Sequence, residues 1–225
     1  MSAESIRRPR SEAVHERLRA AILSGELPAG APLPSERSLS EELAVNRHVV
    51  REAVKRLQQA GLVQVSQGGA TRVRDWREHA GLDLLADLAV HARAGELAGL
   101  AGAIFEMRAT IGTDAARLCA LRAPAAVREA LREWAAAPAS ADYAERFEAY
   151  EALWAMIVDG SGNVAYRLAF NSLVAARHGN GIDARAYARE VDDVAAARAL
   201  AEAIVAGRAP DAERRARDLL SRTGA

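Results

Sequence analysis

Two arginines near the start of one segment, Arg47 and Arg51, have the type and spacing needed to bind nucleic acid. They lie four residues apart, so on a helix both guanidinium groups point the same way. A guanidinium is a planar fork that donates to O6 and N7 of guanine at once. His48 and Val49 lie between them, on the same predicted exposed turn. This pattern predicts contacts with base edges in a DNA major groove.

A third helix, from Arg47 to about Ala60, has to position these side chains. Asn46 is its predicted N-cap and Gly61 its terminator. Its buried face consists of apolar residues at helical spacing: Val50, Ala53, Val54 and Leu57. Two amphipathic segments, 11–24 and 35–44, predict the first and second helices. The turn before Asn46 is short, so the second and third helices must cross steeply and expose the start of the third.

A β-hairpin is predicted after these helices. The segments LVQVS and TRVRD alternate apolar and polar residues around the polar turn QGGA. Three helices and a hairpin predict a winged helix-turn-helix domain over residues 1–76, with Gln67 and Gly68 at the wing tip near the DNA backbone or minor groove. The alternative to DNA binding is that these arginines form an ordinary solvent-exposed face of the third helix. Cations at the positive end of a helix dipole cost about 0.3–1 kcal/mol each without an anion, which favours DNA.

Residues 77–225 predict a second, helical domain. Apolar residues recur at helical spacing through six or seven segments joined by short Gly, Pro and Asn breaks. The expected fold class is mainly α, a winged helix-turn-helix domain followed by an antiparallel helical bundle. Charge divides similarly, since residues 1–77 hold thirteen Lys and Arg against nine Asp and Glu, while the whole chain is neutral.

Arg108 is the candidate ligand-binding residue of this bundle, because its neighbours along the helix are largely apolar. An arginine on the inner side of a bundle must be paired. Its partner is either the carboxylate or phosphate of an effector, or an internal carboxylate: Glu106, Asp114 or one on another helix. Three further side chains are weaker candidates for polar or stacking contacts with an effector: Trp154, Asn171 and Arg177.

Several functional classes are disfavoured by composition and motifs. The single cysteine, Cys119, excludes an internal disulfide and a Cys-based zinc site, which fits a reducing cytoplasm. No apolar run reaches the roughly 18 residues needed to span a bilayer. Catalytic motifs such as H-E-x-x-H, G-x-S-x-G and phosphate loops are missing, and the histidines are isolated. We therefore expect a cytoplasmic protein that is not an enzyme and has no membrane partner.

The run LPSERSLSEELAVNRHVVREAVKRLQQAGLVQVSQGGATRV resembles the DNA-binding domain of the GntR family of bacterial transcriptional regulators. The P-S-E-R opening, the R-x-x-x-R-E-A-[VL]-x-x-L core and the glycine-bearing wing carry this resemblance. It implies DNA contacts at matching positions: Arg37, Arg47, His48, Val49, Arg51, Gln67 and Gly68. His48 and Val49 differ from the small hydroxyl residues often found there, which affects the operator sequence rather than the binding mode.

The remainder of the chain resembles the FadR subgroup of that family. The segment TRVRDWREHAGLDLLADLAV, Arg108 within FEMRATIG and the stretch LWAMIVDGSGN carry the likeness. Ligand positions of the subgroup's metal-binding members fall on Tyr150, Trp154 and near Ala197 and Asp218. These residues predict no bound metal or cofactor, since imidazole and hard oxygen donors are missing. The resemblance then favours the metal-free type, with a fatty acid or acyl-CoA as effector.

These observations together predict a homodimeric transcription regulator. It binds a palindromic double-stranded DNA operator, and a small acidic effector in the bundle modulates that binding. One alternative is a constitutive DNA-binding dimer whose bundle is only a dimerisation scaffold. A helical enzyme fused to a DNA-targeting domain is the third and weakest interpretation.

Overall fold

The computed structural model describes residues 10–66, 69–91, 94–178 and 184–222. The chain divides into two compact units, Met1–Ala92 and Arg93–Ala225. No helix in the described ranges is long and apolar enough to cross a membrane.

The first unit is built on three helices and a hairpin, as predicted. Its elements are α1 (Arg10–Leu23), α2 (Glu36–Glu42), α3 (Arg47–Gln59), β1 (Val63–Gln64) and β2 (Arg72–Val73). Val50, Ala53 and Leu57 of α3 are fully buried and pack with Val14, Leu18 and Ile22 of α1 in one core. The predicted inner face of α3 is therefore the face that holds it to the rest of the unit.

The turn between α2 and α3 is a tight left-handed one. Ala44 has a φ of 51°, unusual for a residue with a Cβ, and the N–H of Val45 donates to the carbonyl of Ser40 at 3.1 Å. This bond satisfies a carbonyl near the end of α2, and only four residues, 43–46, separate α2 from α3. Asn46 then begins α3, so the helix starts at the surface.

The hairpin pairs Val63 with Val73 and Gln64 with Arg72 in antiparallel register. Pro32 adds an isolated antiparallel bridge to Arg72. The backbone of the proline-rich segment before α2 thus extends the hairpin by one bridge. Gly61, with a φ of 73°, ends α3 as predicted; a Cβ there would lie 2.4 Å from the carbonyl oxygen of His79.

The first unit continues beyond the predicted boundary at Trp76. It includes the helices α4 (Trp76–His79) and α5 (Leu85–His91), linked by a single 3-10 turn over Leu82–Leu84. Leu84 is buried in the core of the first unit, and Asp87 of α5 pairs with Arg19 of α1 at 2.9 Å. Part of the range predicted as the second domain thus packs on α1 instead.

The second unit is helical throughout its described residues. Its helices are α6 (Ala94–Arg122), α7 (Ala125–Ala136), α8 (Tyr143–Gly160), α9 (Val164–His178), α10 (Ala188–Val191), α11 (Val194–Val205) and α12 (Ala209–Leu220). The long α6 packs against α8, α9, α11 and α12. The core contains fully buried Leu and Ile side chains: Leu131, Leu153, Ile157, Leu200, Ile204 and Leu219. The predicted fold class is confirmed.

The Ala-rich segment 188–205 of this unit is divided between two helices. The short α10 ends at Val191 and α11 begins at Val194. Asp193 causes the break, because its side chain accepts from the N–H of Ala196 at 2.9 Å and caps α11. The short α10 carries Glu190, whose side chain is completely buried.

Candidate functional site

The first turn of α3 forms an exposed basic surface. Asn46 Oδ1 accepts from the N–H of Val49 at 2.9 Å, which fixes where the helix begins. Arg47, His48 and Arg51 are exposed around this start. Further free N–H groups and the positive end of the helix dipole lie at the same place, so the surface suits an anion such as phosphate.

Arg51 is held by a carboxylate of the neighbouring helix. Its Nη2 donates to Glu36 Oε2 at 2.8 Å, and its Nε donates to Glu36 Oε1 at 3.1 Å. The hydrogen bond from Arg51 lowers the pKa of Glu36 below its ordinary value. The side chains stay 66% and 37% exposed, so the pair joins the starts of α2 and α3 at the surface.

The other predicted DNA-contacting residues are placed less uniformly. Val49 is half-buried and packs against the core, so its side chain is only partly available. Arg37 lies exposed on α2, where its Nε donates to Glu41 at 2.9 Å. Gln67 and Gly68 lie outside the described residues. The structure therefore brings three of the predicted residues together at the start of α3.

A largely apolar cavity lies in the second unit. It has a volume of about 70 Å³, several times the space that one water molecule needs. Apolar side chains from α6, α8, α9 and α12 form much of its wall: Ile111, Phe147, Trp154, Val158, Phe170, Leu173, Val174 and Leu220. The charged side chains that line the cavity are those of Arg108, Glu151 and Arg177.

Arg108 forms a bidentate ion pair with Glu190 of α10. Its Nη1 donates to Oε1 at 2.9 Å and its Nη2 to Oε2 at 2.6 Å. Burial opposes the positive charge, but the bonds and charge of Glu190 outweigh it and raise the pKa of Arg108. The phenol of Tyr150 also donates to Glu190 Oε2, at 2.6 Å. Burial raises the pKa of Tyr150. Arg108 is thus paired internally, with a carboxylate from another helix.

Arg177 is a second arginine at the cavity that pairs with a carboxylate. Its Nη2 donates to Glu151 at 2.6 Å, and its guanidinium carbon lies 4.6 Å from the ring centre of Phe147. Trp154 lines the cavity, and its buried indole N–H has no hydrogen-bond acceptor among the described residues. Asn171 is exposed and does not line the cavity. Three of the four predicted effector residues therefore surround one cavity.

Comparison with known proteins relates both units to bacterial regulators. Residues 10–73 match the bacterial regulatory proteins of the gntR family, and residues 103–222 match the FCD domain. The chain is 38% identical over 220 residues to the HTH-type transcriptional regulator Mce2R of Mycobacterium tuberculosis, across 95% of this chain and 90% of that protein. The chain belongs to the GntR family.

Other GntR-related proteins extend this comparison. The fatty acid metabolism regulator protein of Escherichia fergusonii is 31% identical over 153 residues, which are 68% of this chain and 62% of that protein. The solved Streptococcus agalactiae GntR is 23% identical, with a TM-score of 0.47 over 94% of this chain and 97% of that one. The predicted family is confirmed: this is a DNA-binding GntR transcription regulator with an FCD effector-binding domain.

Residues predicted from metal-binding members of the subgroup lie at the cavity. Tyr150 and Trp154 are the positions that the resemblance aligns with two of those ligands, and both line the cavity. Within the described ranges, no three His, Cys, Asp or Glu side chains come together to hold a metal ion. A phenol and an indole supply apolar rings at these two positions, so the cavity wall is suited to an organic molecule.

Sequence reasoning missed the carboxylates that complete this GntR cavity. Glu190 lies 82 positions from Arg108, so no local pattern connects them. The adjacent Asp192 and Asp193 were the available signal, because an aspartate within an Ala-rich segment favours a helix start. A break recognised there would have placed Glu190 on a separate short helix.

Proposed function

We propose that two copies of this chain form a homodimer in which each α3 enters a major groove of a palindromic operator. The observation that carries this proposal is the exposed first turn of α3, where Arg47 and Arg51 flank a capped helix start. The opposite face of α3 is buried in the core, so the helix presents these side chains from a fixed support.

Arg51 has a partner that DNA can replace. An exposed ion pair contributes about 0–1 kcal/mol, because water screens both charges. Exchanging Glu36 for guanine or phosphate therefore costs little. Arg47 forms no ion pair within the described part of the chain, so its guanidinium needs no such exchange.

An apolar strip on α9 supports a second copy of the chain as partner. Val164 and Leu168 are one turn apart and 74% and 62% exposed. Exposed aliphatic side chains on one helix face favour burial against another protein surface. In a two-fold dimer the same strip from both copies would meet, and such a dimer has the two-fold symmetry of a palindromic site.

The cavity of the second unit is the proposed effector site. A molecule held there modulates operator binding if it favours one arrangement of the dimer over another. The acidic effector expected from Arg108 would have to compete with Glu190 for that guanidinium. A bundle that serves dimerisation alone predicts no ligand-dependent change in operator affinity.

Operator binding tests the DNA half of the proposal. A duplex is first selected from a random pool with the wild-type protein, and its affinity is then measured by gel shift. Arg47→Ala and Arg51→Ala should each lose about 1–3 kcal/mol of binding free energy. Arg56→Ala, also exposed but in the last turn of α3, serves as the matched control. Wild-type affinity in both Arg47 and Arg51 variants would refute the groove assignment.

A further inference from the structure

The charges around the cavity of the second unit cancel one another. Arg108 is paired with Glu190, and Arg177 is paired with Glu151, at 2.6 Å in each case. Both arginines also lie near aromatic rings, Arg108 at 5.0 Å from the ring centre of Tyr187. Among the described groups, Arg108, Arg177 and Glu151 line the cavity, and Glu190 lies buried against Arg108, so two cations are matched by two carboxylates.

A carboxylate ligand would disturb this balance. If it bound Arg108, it would add a second negative charge beside Glu190, whose side chain is 0% exposed and cannot turn to water. An unpaired charge in such a place is strongly unfavourable, since the apolar wall cannot solvate it. The bond from Tyr150 also fixes Glu190 in place.

We infer that the effector of this cavity is an uncharged apolar molecule, and that Glu190 is the residue that excludes carboxylates. The inference rests on the cavity being the effector site, as proposed above. It differs from the acidic effector that Arg108 alone predicts, because it takes the Arg108–Glu190 pair into account. The apolar side chains of the wall bind such a molecule by burying its surface, and no ion pair has to be broken.

Two ligands that differ mainly in charge test this inference directly. 2-Nonanone and octanoate share a heptyl chain, and a methyl group in the first replaces an anionic oxygen in the second. Calorimetric titration of the full-length protein near pH 8 should detect 2-nonanone. Octanoate should bind roughly a hundredfold more weakly, because its charge is uncompensated.

A single substitution should reverse this preference. Glu190→Gln keeps a similar shape and can still bond Tyr150, but it leaves Arg108 without its carboxylate. Octanoate affinity should then rise by at least about tenfold, while 2-nonanone affinity changes little. Glu213→Gln is the control. It removes a carboxylate that pairs with Arg217 at 2.6 Å, and neither residue lines the cavity.

The outcomes distinguish the inference of an uncharged effector from the proposal that the cavity is the effector site. Wild-type protein that binds octanoate as tightly as 2-nonanone would overturn the charge argument but leave the cavity as an effector site. Binding of neither compound would overturn both. If Glu190→Gln does not fold, the wild-type comparison of the two ligands still decides whether the cavity excludes carboxylates.

Discussion

Two arginine–glutamate pairs, one in each unit, show how burial decides what an arginine can do. Arg51 and Glu36 meet through bonds of 2.8–3.3 Å, and Arg108 and Glu190 through bonds of 2.6 and 2.9 Å. Their chemistry is the same. Their side chains are 66% and 37% exposed in the first pair, but 16% and 0% in the second.

The difference in exposure separates a residue available to a partner from one committed to the fold. Water stabilises Arg51 and Glu36 whether or not they touch, so the pair is worth about 0–1 kcal/mol. Removing one member of a buried pair strands the other charge and costs about 3–5 kcal/mol. Arg51 is thus free to exchange its carboxylate for DNA, whereas Arg108 remains with Glu190.

The largest expected effect comes from breaking the buried pair. Arg108→Ala leaves Glu190 charged and fully buried, and should reduce the free energy of unfolding of the second unit by about 3–5 kcal/mol. Denaturant unfolding monitored by tryptophan fluorescence measures this. A loss below about 1 kcal/mol would show that the pair behaves like a surface contact.

A double substitution controls for the stranded charge. Arg108→Met combined with Glu190→Leu removes both charges at once and should be less destabilising than either single change. The exposed pair of Arg217 and Glu213 offers the contrast, since Arg217→Ala should change stability by no more than about 1 kcal/mol. Additive losses at Arg108 and Glu190 would contradict the coupling.

A smaller effect is expected from the exposed pair. Glu36→Gln should alter stability by less than about 1 kcal/mol, because both charges remain hydrated. The same change frees Arg51 and removes a negative charge beside the DNA, so operator affinity should rise a few-fold. Gel shifts at two salt concentrations check this, with Glu42→Gln on the same helix as control, because Glu42 pairs with Arg17 of α1. Weaker operator binding would show that Glu36 positions Arg51 rather than competing for it.

The smallest expected effect is a difference in pH response between the units. Burial, and then the charges of Arg19 and Arg56, lower the pKa of His15 in the first unit below its ordinary 6.5. The unfolded chain takes up this proton more readily, so stability is lost as the pH falls below about 6.5. As the pH is lowered below about 6.5, hydrogen exchange followed by mass spectrometry should show that α1 opens more readily. His15→Gln should remove this dependence of α1 opening on pH.

The second unit should respond only at lower pH. The N–H of Ala196 and the guanidinium of Arg222 lower the pKa of Asp193 below its ordinary 3.8. This cap stabilises the fold above that value and is lost as the pH falls through the lower value of the folded state. Simultaneous opening of both units near pH 6 would contradict this separation.

Local patterns predicted the first unit better than the second. Patterns a few residues long predict the N-cap Asn46, the buried face of α3 and the terminator Gly61. The structure confirms all three. The first unit extends beyond the predicted boundary at Trp76, because Leu84 and Asp87 pack in it through contacts far apart in sequence. A carboxylate on another helix was one of the partners expected for Arg108, but Glu190 was not identified, for the same reason.

The most direct test of this account is the NMR spectrum of the arginine Nε–Hε groups, recorded as the selected duplex is added to the full-length protein. Arg51 exchanges Glu36 for DNA in this account, so its resonance should shift until the duplex is stoichiometric, while that of Arg108 stays in place. An Arg51 resonance that does not move when the duplex binds would contradict the assignment of α3 as the helix that reads DNA.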